Sequence, residues 1–191
     1  MKGKPASRKF LPVLGLLWLA AGWLAAAETG PVAGEYKEYK VKAAFIYNFT
    51  KFTDWPPGAF SSPTASLVIG ILGEDPFGDT MEDVVRGEVV RGRPLVIKRL
   101  RPDDDLRACH ILFIARSETQ RLPAVLSQLK GTPVLSVGET SGFAEQGGMI
   151  NLLLADSILK IEINQAALEQ AGLQISAKLL KLARLVKTSR S

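Results

Sequence analysis

The side chains best suited to nucleophilic or acid–base chemistry are one cysteine, Cys109, and one histidine, His110. A serine or cysteine nucleophile needs an imidazole as its base, so any such site would have to use His110. Both residues open the apolar run CHILFIA, which predicts a strand, and neighbouring residues in a strand point to opposite faces. They therefore cannot share a proton, and we predict that the protein is not an enzyme. Burial is the favoured state of Cys109, although a free thiol or pairing between chains stays open.

Metal chemistry has little support in the sequence. A closed zinc site needs about four cysteine or histidine ligands, more than this chain can supply. Glu74, Asp75 and Asp79 could bind a cation, but turn formation explains them equally well and no second carboxylate cluster supports a metal. We expect no metal and no cofactor. Carboxylate catalysis through Glu74 or Asp75 remains an alternative, and it would require turnover to be lost when either is replaced.

Polar residues follow three predicted strands, where open α/β sheets bind small molecules. Hydroxyl groups, helix N-termini and Arg116 would meet there and suit an anionic or zwitterionic ligand. Capping of helices explains Asp75 and Ser117 equally well. Asn48, on the apolar side of a predicted helix, must be hydrogen-bonded if it is buried, either to a loop or in a polar pocket. The candidate ligand-binding residues are Asn48, Glu74, Asp75, Arg116, Ser117, Glu139, Ser141 and Phe143.

Two groups of residues could contact a protein partner or a second copy of the chain. Aromatic residues gather near the end of the first predicted helix, where they form either a contact surface or part of the core. A basic face on the predicted final helix could contact an acidic partner or phospholipid, or simply be solvated. The candidate contact residues are Tyr47, Phe49, Phe52, Trp55, Lys178, Lys181 and Arg184.

The elements that would position these residues alternate between strand and helix. A helical pattern from residue 35 to 52 precedes six short apolar runs that predict strands, at 67–73, 95–100, 110–115, 134–138, 149–155 and 158–163. Helices are predicted at 77–86, from a capping box at Ser117 to about 130, after Asn164, and from Ser176 onward. This order predicts a three-layer α/β/α domain. Its mixed, mostly parallel sheet would have five or six strands, followed by a C-terminal β-hairpin and helix.

The N-terminus carries the features of an export signal. A basic segment up to Lys9 precedes an apolar stretch and then Ala25-Ala26-Ala27, the pattern of a cleaved secretory signal. We therefore predict a signal peptide over residues 1–27, a single domain over 28–191, and a location outside the cytoplasm. The formal charge of +5 could suggest nucleic acid, but four basic residues lie in that signal. Residues 28–191 carry almost no net charge, so we predict no nucleic-acid partner.

A series of motifs, in order along the chain, resembles one family. The most specific is KAAFIYNFTKFTDWP at 42–56; the others are GEDPFGD (73–79), RGRPL (91–95), CHILFIA (109–115), VGETSGFAEQGGMINL (137–152), IEIN (161–164) and GLQISAKLLKLA (172–183). Together they resemble the YfiR family of bacterial periplasmic proteins across essentially all of residues 28–191.

The resemblance implies a periplasmic, non-enzymatic regulator that forms homodimers. In the best-known member, the target is an inner-membrane diguanylate cyclase, which is held inactive through its periplasmic sensor domain. Release of this repression raises cyclic di-GMP and favours biofilm formation, and an outer-membrane lipoprotein can sequester the repressor. That member also has intrachain disulfides and a redox response, which Cys109 alone cannot reproduce. A periplasmic receptor that binds a small ligand at the carboxyl ends of the strands is the alternative function.

Overall fold

The computed structural model describes residues 33–155 and 158–189. The signal peptide predicted over residues 1–27 and the turn predicted at Asp156-Ser157 lie outside this part of the chain. Within the described residues, no helix combines the length and apolar character needed to cross a bilayer.

The chain alternates between helices and strands, as the sequence predicts. The helices are α1 (Ala33–Phe52), α2 (Thr80–Val85), α3 (Leu122–Leu129), α4 (Gln165–Gln170) and α5 (Ala177–Leu180). The strands are β1 (Thr53–Asp54), β2 (Leu67–Leu72), β3 (Val89–Val90), β4 (Arg93–Leu100), β5 (Ile111–Ile114), β6 (Leu135–Gly138), β7 (Ile150–Ala155), β8 (Ile158–Asn164), β9 (Gln174–Ile175) and β10 (Arg184–Val186).

Eight strands form one mixed sheet in the order β10-β8-β7-β6-β5-β2-β4-β3. Its pairs are parallel except for β3 with β4 and the hairpin of β7 with β8. A separate two-stranded antiparallel sheet joins β1 to β9. The predicted fold class is confirmed, including the mostly parallel sheet and the C-terminal hairpin and helix. The sheet has more strands than predicted because the short edge strands β3 and β10 carry too few residues to give a periodic signal.

Both faces of the sheet are covered. On one face, Ile111 and Phe113 of β5 pack in a core that includes Ile46 and Phe49 of α1. On the other face, Leu112 and Ile114 of β5 pack with the apolar side of α3. Neighbouring residues in a strand point to opposite faces of the sheet. Because both faces are buried here, a central strand needs apolar residues at every position.

Three predicted helices differ from the structure. The helix after Asp75 begins only at Thr80, because Asp75 instead accepts the backbone N–H of Phe77 in a turn. Ser117 does not cap a helix, since its hydroxyl accepts the N–H of Glu74, and residues 116–121 form a 3-10 helix that precedes α3. The predicted final helix is present but much shorter than expected: α5 ends at Leu180, and Arg184 lies in strand β10.

Candidate functional site

A buried group of charged and polar side chains lies where β6 ends. Glu139, the first residue after β6, is almost fully buried, and one of its carboxylate oxygens is 2.7 Å from Nζ of Lys42. The hydroxyl of Tyr39 donates to the same oxygen over 3.0 Å. The other carboxylate oxygen accepts the backbone N–H of Arg116 at 3.0 Å. Lys42 also forms an ion pair with Glu38, one helical turn earlier.

The polar atoms of this group bond to one another, so few of them are available to bind a ligand. Lys42 is completely buried, and a buried ammonium ion is stable only when it is paired. Burial, and next the negative charge of Glu139, raise the pKa of Tyr39 well above its usual range, so its proton stays on the hydroxyl. The cluster therefore fastens α1 to the carboxyl ends of β5 and β6. Of the predicted ligand residues, Glu139 serves this cluster, and Arg116 joins it through its backbone.

The sequence prediction missed Lys42. A signal was present, because Lys42 lies four residues before Ile46 and seven before Phe49, on the stripe that α1 buries. A charged residue at such a position needs a buried partner of opposite charge.

Other predicted ligand residues lie at the same edge of the sheet and are also engaged. Asp75 binds Nε of Arg99 at 2.7 Å. The hydroxyl of Ser117 accepts the N–H of Glu74 at 2.9 Å, close over Gly73. Gly73 has a φ of +95°, and a Cβ there would lie 2.4 Å from that hydroxyl, so only glycine fits.

Phe143, Ser141 and Asn48 complete the predicted ligand set. Phe143 is fully buried between Gly138 and Gly148, where an added Cβ would come within 2.5 Å of its ring. Its prediction as a ligand contact is wrong, because the ring fills the core. Ser141 is exposed, while Asn48 is half-buried on α1, beyond Lys42 toward the end of the helix. The structure thus gathers Glu74, Asp75, Arg116, Ser117 and Glu139, but not Asn48.

The predicted aromatic contact surface is divided. Phe49 has no exposed area and belongs to the core, so its assignment to a surface is wrong. Tyr47, Phe52 and Trp55 remain half-buried and pack at the margin of that core. The hydroxyl of Tyr47 donates to Glu88, and Lys51 lies over its ring, 4.0 Å from the centroid.

Trp55 lines a cleft with a volume of about 280 Å³. Arg93 lies over the ring of Phe60 at 3.7 Å, and Trp55 meets the same ring edge-on at 6.2 Å. His110 stacks on the other side of this cluster, with its centroid 4.2 Å from that of Phe60. The cleft lies near the first residues of β2 and β4, opposite the edge at which the sequence predicts a ligand. It is lined by Thr50, Trp55, Pro56, Pro57, Phe60, Leu67, Val90, Arg91 and Arg93.

Cys109 and His110 serve the fold. Nδ1 of His110 accepts the N–H of Val68, and Nε2 donates to the carbonyl of Ala59. Cys109 is buried in the core on the α3 side, as expected, and burial raises the pKa of its thiol to about 11. Within the described ranges, no group of three or more His, Cys, Asp or Glu side chains could hold a metal ion.

The basic residues predicted on one helix face are separated. Lys178 lies in α5 and Lys181 follows it, while Arg184 is in β10 and binds the carboxylate of Glu162. Since α5 is a single turn, these side chains do not form a continuous helical face.

Solved structures resemble this chain in fold. One is the ABC domain in complex with L-Trp from Streptococcus pneumonia, with a TM-score of 0.52, 12% identity and coverage of 75% of this chain. Another is a conserved domain protein from Vibrio cholerae, with a TM-score of 0.50, 11% identity and coverage of 76% of this chain. The match spans 60% of each of those proteins, and at such identities it shows the fold alone. No curated protein matches the chain significantly.

A family model described as YfiR/HmsC-like matches residues 39–184. The match runs from Tyr39 and the buried Lys42 in α1 to Arg184, and so includes every strand of the main sheet except the last two residues of β10. The chain belongs to the YfiR/HmsC-like family.

Proposed function

We propose that this protein is a periplasmic regulator that binds the periplasmic sensor part of an inner-membrane diguanylate cyclase and holds that enzyme inactive, lowering cyclic di-GMP. Family membership supports a periplasmic regulator in general terms, and the cyclase is our more specific assignment. The observation that carries the proposal is that the candidate catalytic groups serve the fold: His110 and Asp75 form internal bonds, and Cys109 is buried. What remains at the surface suits contact with a protein.

Contacts would come from the partly exposed residues Tyr47, Phe52 and Trp55 and from the basic residues Lys178, Lys181 and Arg184. Aromatic and basic side chains are common in protein interfaces, where they provide apolar area together with a polar group. We extend the proposal to a homodimer and to an outer-membrane lipoprotein that withdraws the regulator from its target.

Deletion of the gene tests the proposal directly. Cyclic di-GMP, measured by mass spectrometry of cell extracts, should rise in the deletion strain and return to its original level when the full chain is supplied. A version starting at residue 28, which lacks the predicted export signal, should fail to restore it. Unchanged cyclic di-GMP in the deletion strain would refute the assignment to a cyclase.

A receptor for a small ligand is a second candidate, favoured by the cleft beside Trp55. Arg93 faces this cleft next to an aromatic ring, which suits an anionic group on a small molecule. Screening amino acids and nucleotides should then identify a compound that raises the melting temperature of the wild-type protein but not that of Arg93→Met. A screen in which no compound acts, or in which both proteins respond alike, would count against this role.

A further inference from the structure

The main sheet ends in an open edge at β10. This strand pairs with β8 in parallel, from Arg184 beside Glu162 to Val186 beside Asn164. Among residues 33–155 and 158–189, no strand pairs with its other side. An open edge presents backbone N–H and C=O groups in the spacing that another extended chain can bond.

Large apolar side chains lie beside this edge. Leu182 is 71% exposed and Leu185 is 56% exposed. Proteins usually protect an edge strand by keeping such residues away from it, because exposed leucines at an open edge invite pairing with another chain. The two leucines therefore offer apolar contact area to a chain that pairs with this edge.

The edge is held in place before any partner arrives. Arg184 binds the carboxylate of Glu162 and lies 3.6 Å from that of Glu145. After the strand, the side-chain amide of Asn164 donates to the hydroxyl of Thr188 at 2.8 Å, and the N–H of Ser189 donates to the carbonyl of Glu145 at 2.9 Å. An ordered strand loses little conformational entropy when it binds, so β10 is prepared for pairing.

The charges around the edge favour one kind of occupant. Lys178, Lys181 and Lys187 are exposed and form no ion pair with any other described residue. A second copy paired antiparallel along β10 would bring Lys187, which follows one strand, toward the turn with Lys181 that precedes the other strand, and such like charges repel. An extended segment that carries acidic residues would instead match these charges.

We propose that an extended, acidic segment of the membrane partner adds as a strand to the outer edge of β10, with Leu182 and Leu185 against its apolar side chains. Main-chain hydrogen bonds along the edge would provide affinity, and the leucines and lysines would select the segment. The inference rests on the proposed function and names where and how the partner docks.

Site-specific photo-crosslinking in living cells tests the docking surface. A benzoylphenylalanine residue replaces Leu185 in the full chain, produced in its own host. The matched control replaces Val89, which is 59% exposed in β3 at the opposite edge of the same sheet. Only the probe at position 185 should give an adduct, and mass spectrometry should assign it to an acid-rich periplasmic segment of a membrane signalling protein. Adding Lys181→Glu and Lys187→Glu should reduce its yield at least tenfold.

Three crosslinking results would overturn the inference. An adduct between two copies of this chain would make β10 a dimer contact. Equal adducts from positions 185 and 89 would show no preference for this edge. The absence of any adduct at position 185, in cells where the chain is present and folded, would leave the edge without a partner.

Cyclic di-GMP separates failure of the docking surface from failure of the proposed function. In a deletion strain, the Lys181→Glu, Lys187→Glu variant should repress the cyclase at least tenfold less than wild type, while Lys40→Glu, Lys98→Glu should repress fully. Melting temperatures of the purified variants must match that of wild type. Full repression by the first variant would reject the docking surface and leave the function intact. If deletion itself has no effect, the cyclase assignment fails, and the crosslink still identifies what β10 binds.

Discussion

At the scale of single residues, His110 joins three segments of the chain. Its ring nitrogens bond to Val68 and Ala59, its carbonyl accepts the indole N–H of Trp55, and its ring stacks on Phe60. A neutral imidazole is required, because Nδ1 must accept a hydrogen bond while Nε2 donates one.

This arrangement predicts how stability depends on pH. Burial is the main cause that lowers the pKa of His110 below its usual range, and Arg93 acts in the same direction. As the pH falls below about 6.5, the unfolded chain takes up a proton that the folded protein does not, so the free energy of unfolding decreases. The loss should reach at most about 1.4 kcal/mol per pH unit and should end below the folded-state pKa. Urea unfolding between pH 8 and 5 measures it, and His110→Asn should lack this contribution; an identical pH profile for both proteins would contradict the assignment.

Cys109 should be chemically inert in the folded protein. With a pKa of about 11 and a buried sulfur, its thiolate fraction at pH 8 is about one in a thousand. Iodoacetamide at pH 8 should therefore modify the thiol only in urea-unfolded protein, as followed by intact mass. Rapid modification without urea, or a disulfide-linked dimer on a non-reducing gel, would show that the thiol is accessible.

Residue types alone predicted which side chains could take part in bonding, but they did not predict which residues those side chains would bond to. The sequence could show that Cys109 and His110 point apart and that Asp75 forms a local bond, but the helix cap that it predicts at Ser117 is replaced by a bond to Glu74. It could not show that Glu139 meets Lys42, because these residues are far apart in the chain and only packing of α1 on the sheet brings them together. A side chain predicted to bind a ligand, such as Glu139, can instead form a structural ion pair when a buried cation lies nearby.

At the scale of elements, α1 is fastened to the sheet by both apolar packing and charge. Phe49 packs in the core, and Lys42 pairs with Glu139 at the end of β6. Loss of Lys42 leaves the buried Glu139 without its cation, and loss of the Glu139 charge leaves Lys42 paired with Glu38. Breaking a buried ion pair in this way typically costs about 3–5 kcal/mol.

A double-mutant cycle measures this attachment. Lys42→Met and Glu139→Gln should each lower the free energy of unfolding by about 3 kcal/mol, and the double variant should lose clearly less than the sum because it removes both charges of the Lys42–Glu139 pair together. Lys40→Met, at an exposed position of the same helix, should change stability by no more than about 0.5 kcal/mol. Urea unfolding provides all four values. Strict additivity would show that the two charges do not interact.

The C-terminal segment forms a short helix and a strand where the sequence predicts one long helix. Residues 177–186 carry a helical apolar pattern, but the same leucines and valine suit a strand, and the open edge of β8 provides partners for its backbone. Pairing of Arg184 with Glu162 further favours the strand. Tertiary contacts of this kind override local periodicity, whereas the longer central strands were predictable because they are apolar throughout.

At the scale of the whole molecule, one sheet carries both cores. Strands β2 and β5 contribute side chains to each face, so loss of one core removes support from the other. We therefore expect residues 28–191 to unfold in a single transition. Trp55 is the only tryptophan in this range, so its fluorescence and far-ultraviolet circular dichroism should give the same urea midpoint. Two separate midpoints would mean that the cores unfold independently.

We expect the bond between Arg184 and Glu162 also to affect how the chain matures. Glu162 is 6% exposed, and its cationic partner comes from the last described strand. If the chain crosses the membrane in order from residue 28 onward, Glu162 would reach the periplasm before Arg184. We expect chains that stop before residue 184 to stay loosely packed around β8 and to be removed by periplasmic proteases. Pairing of β10 would thus link stable packing around β8 to translocation of residue 184.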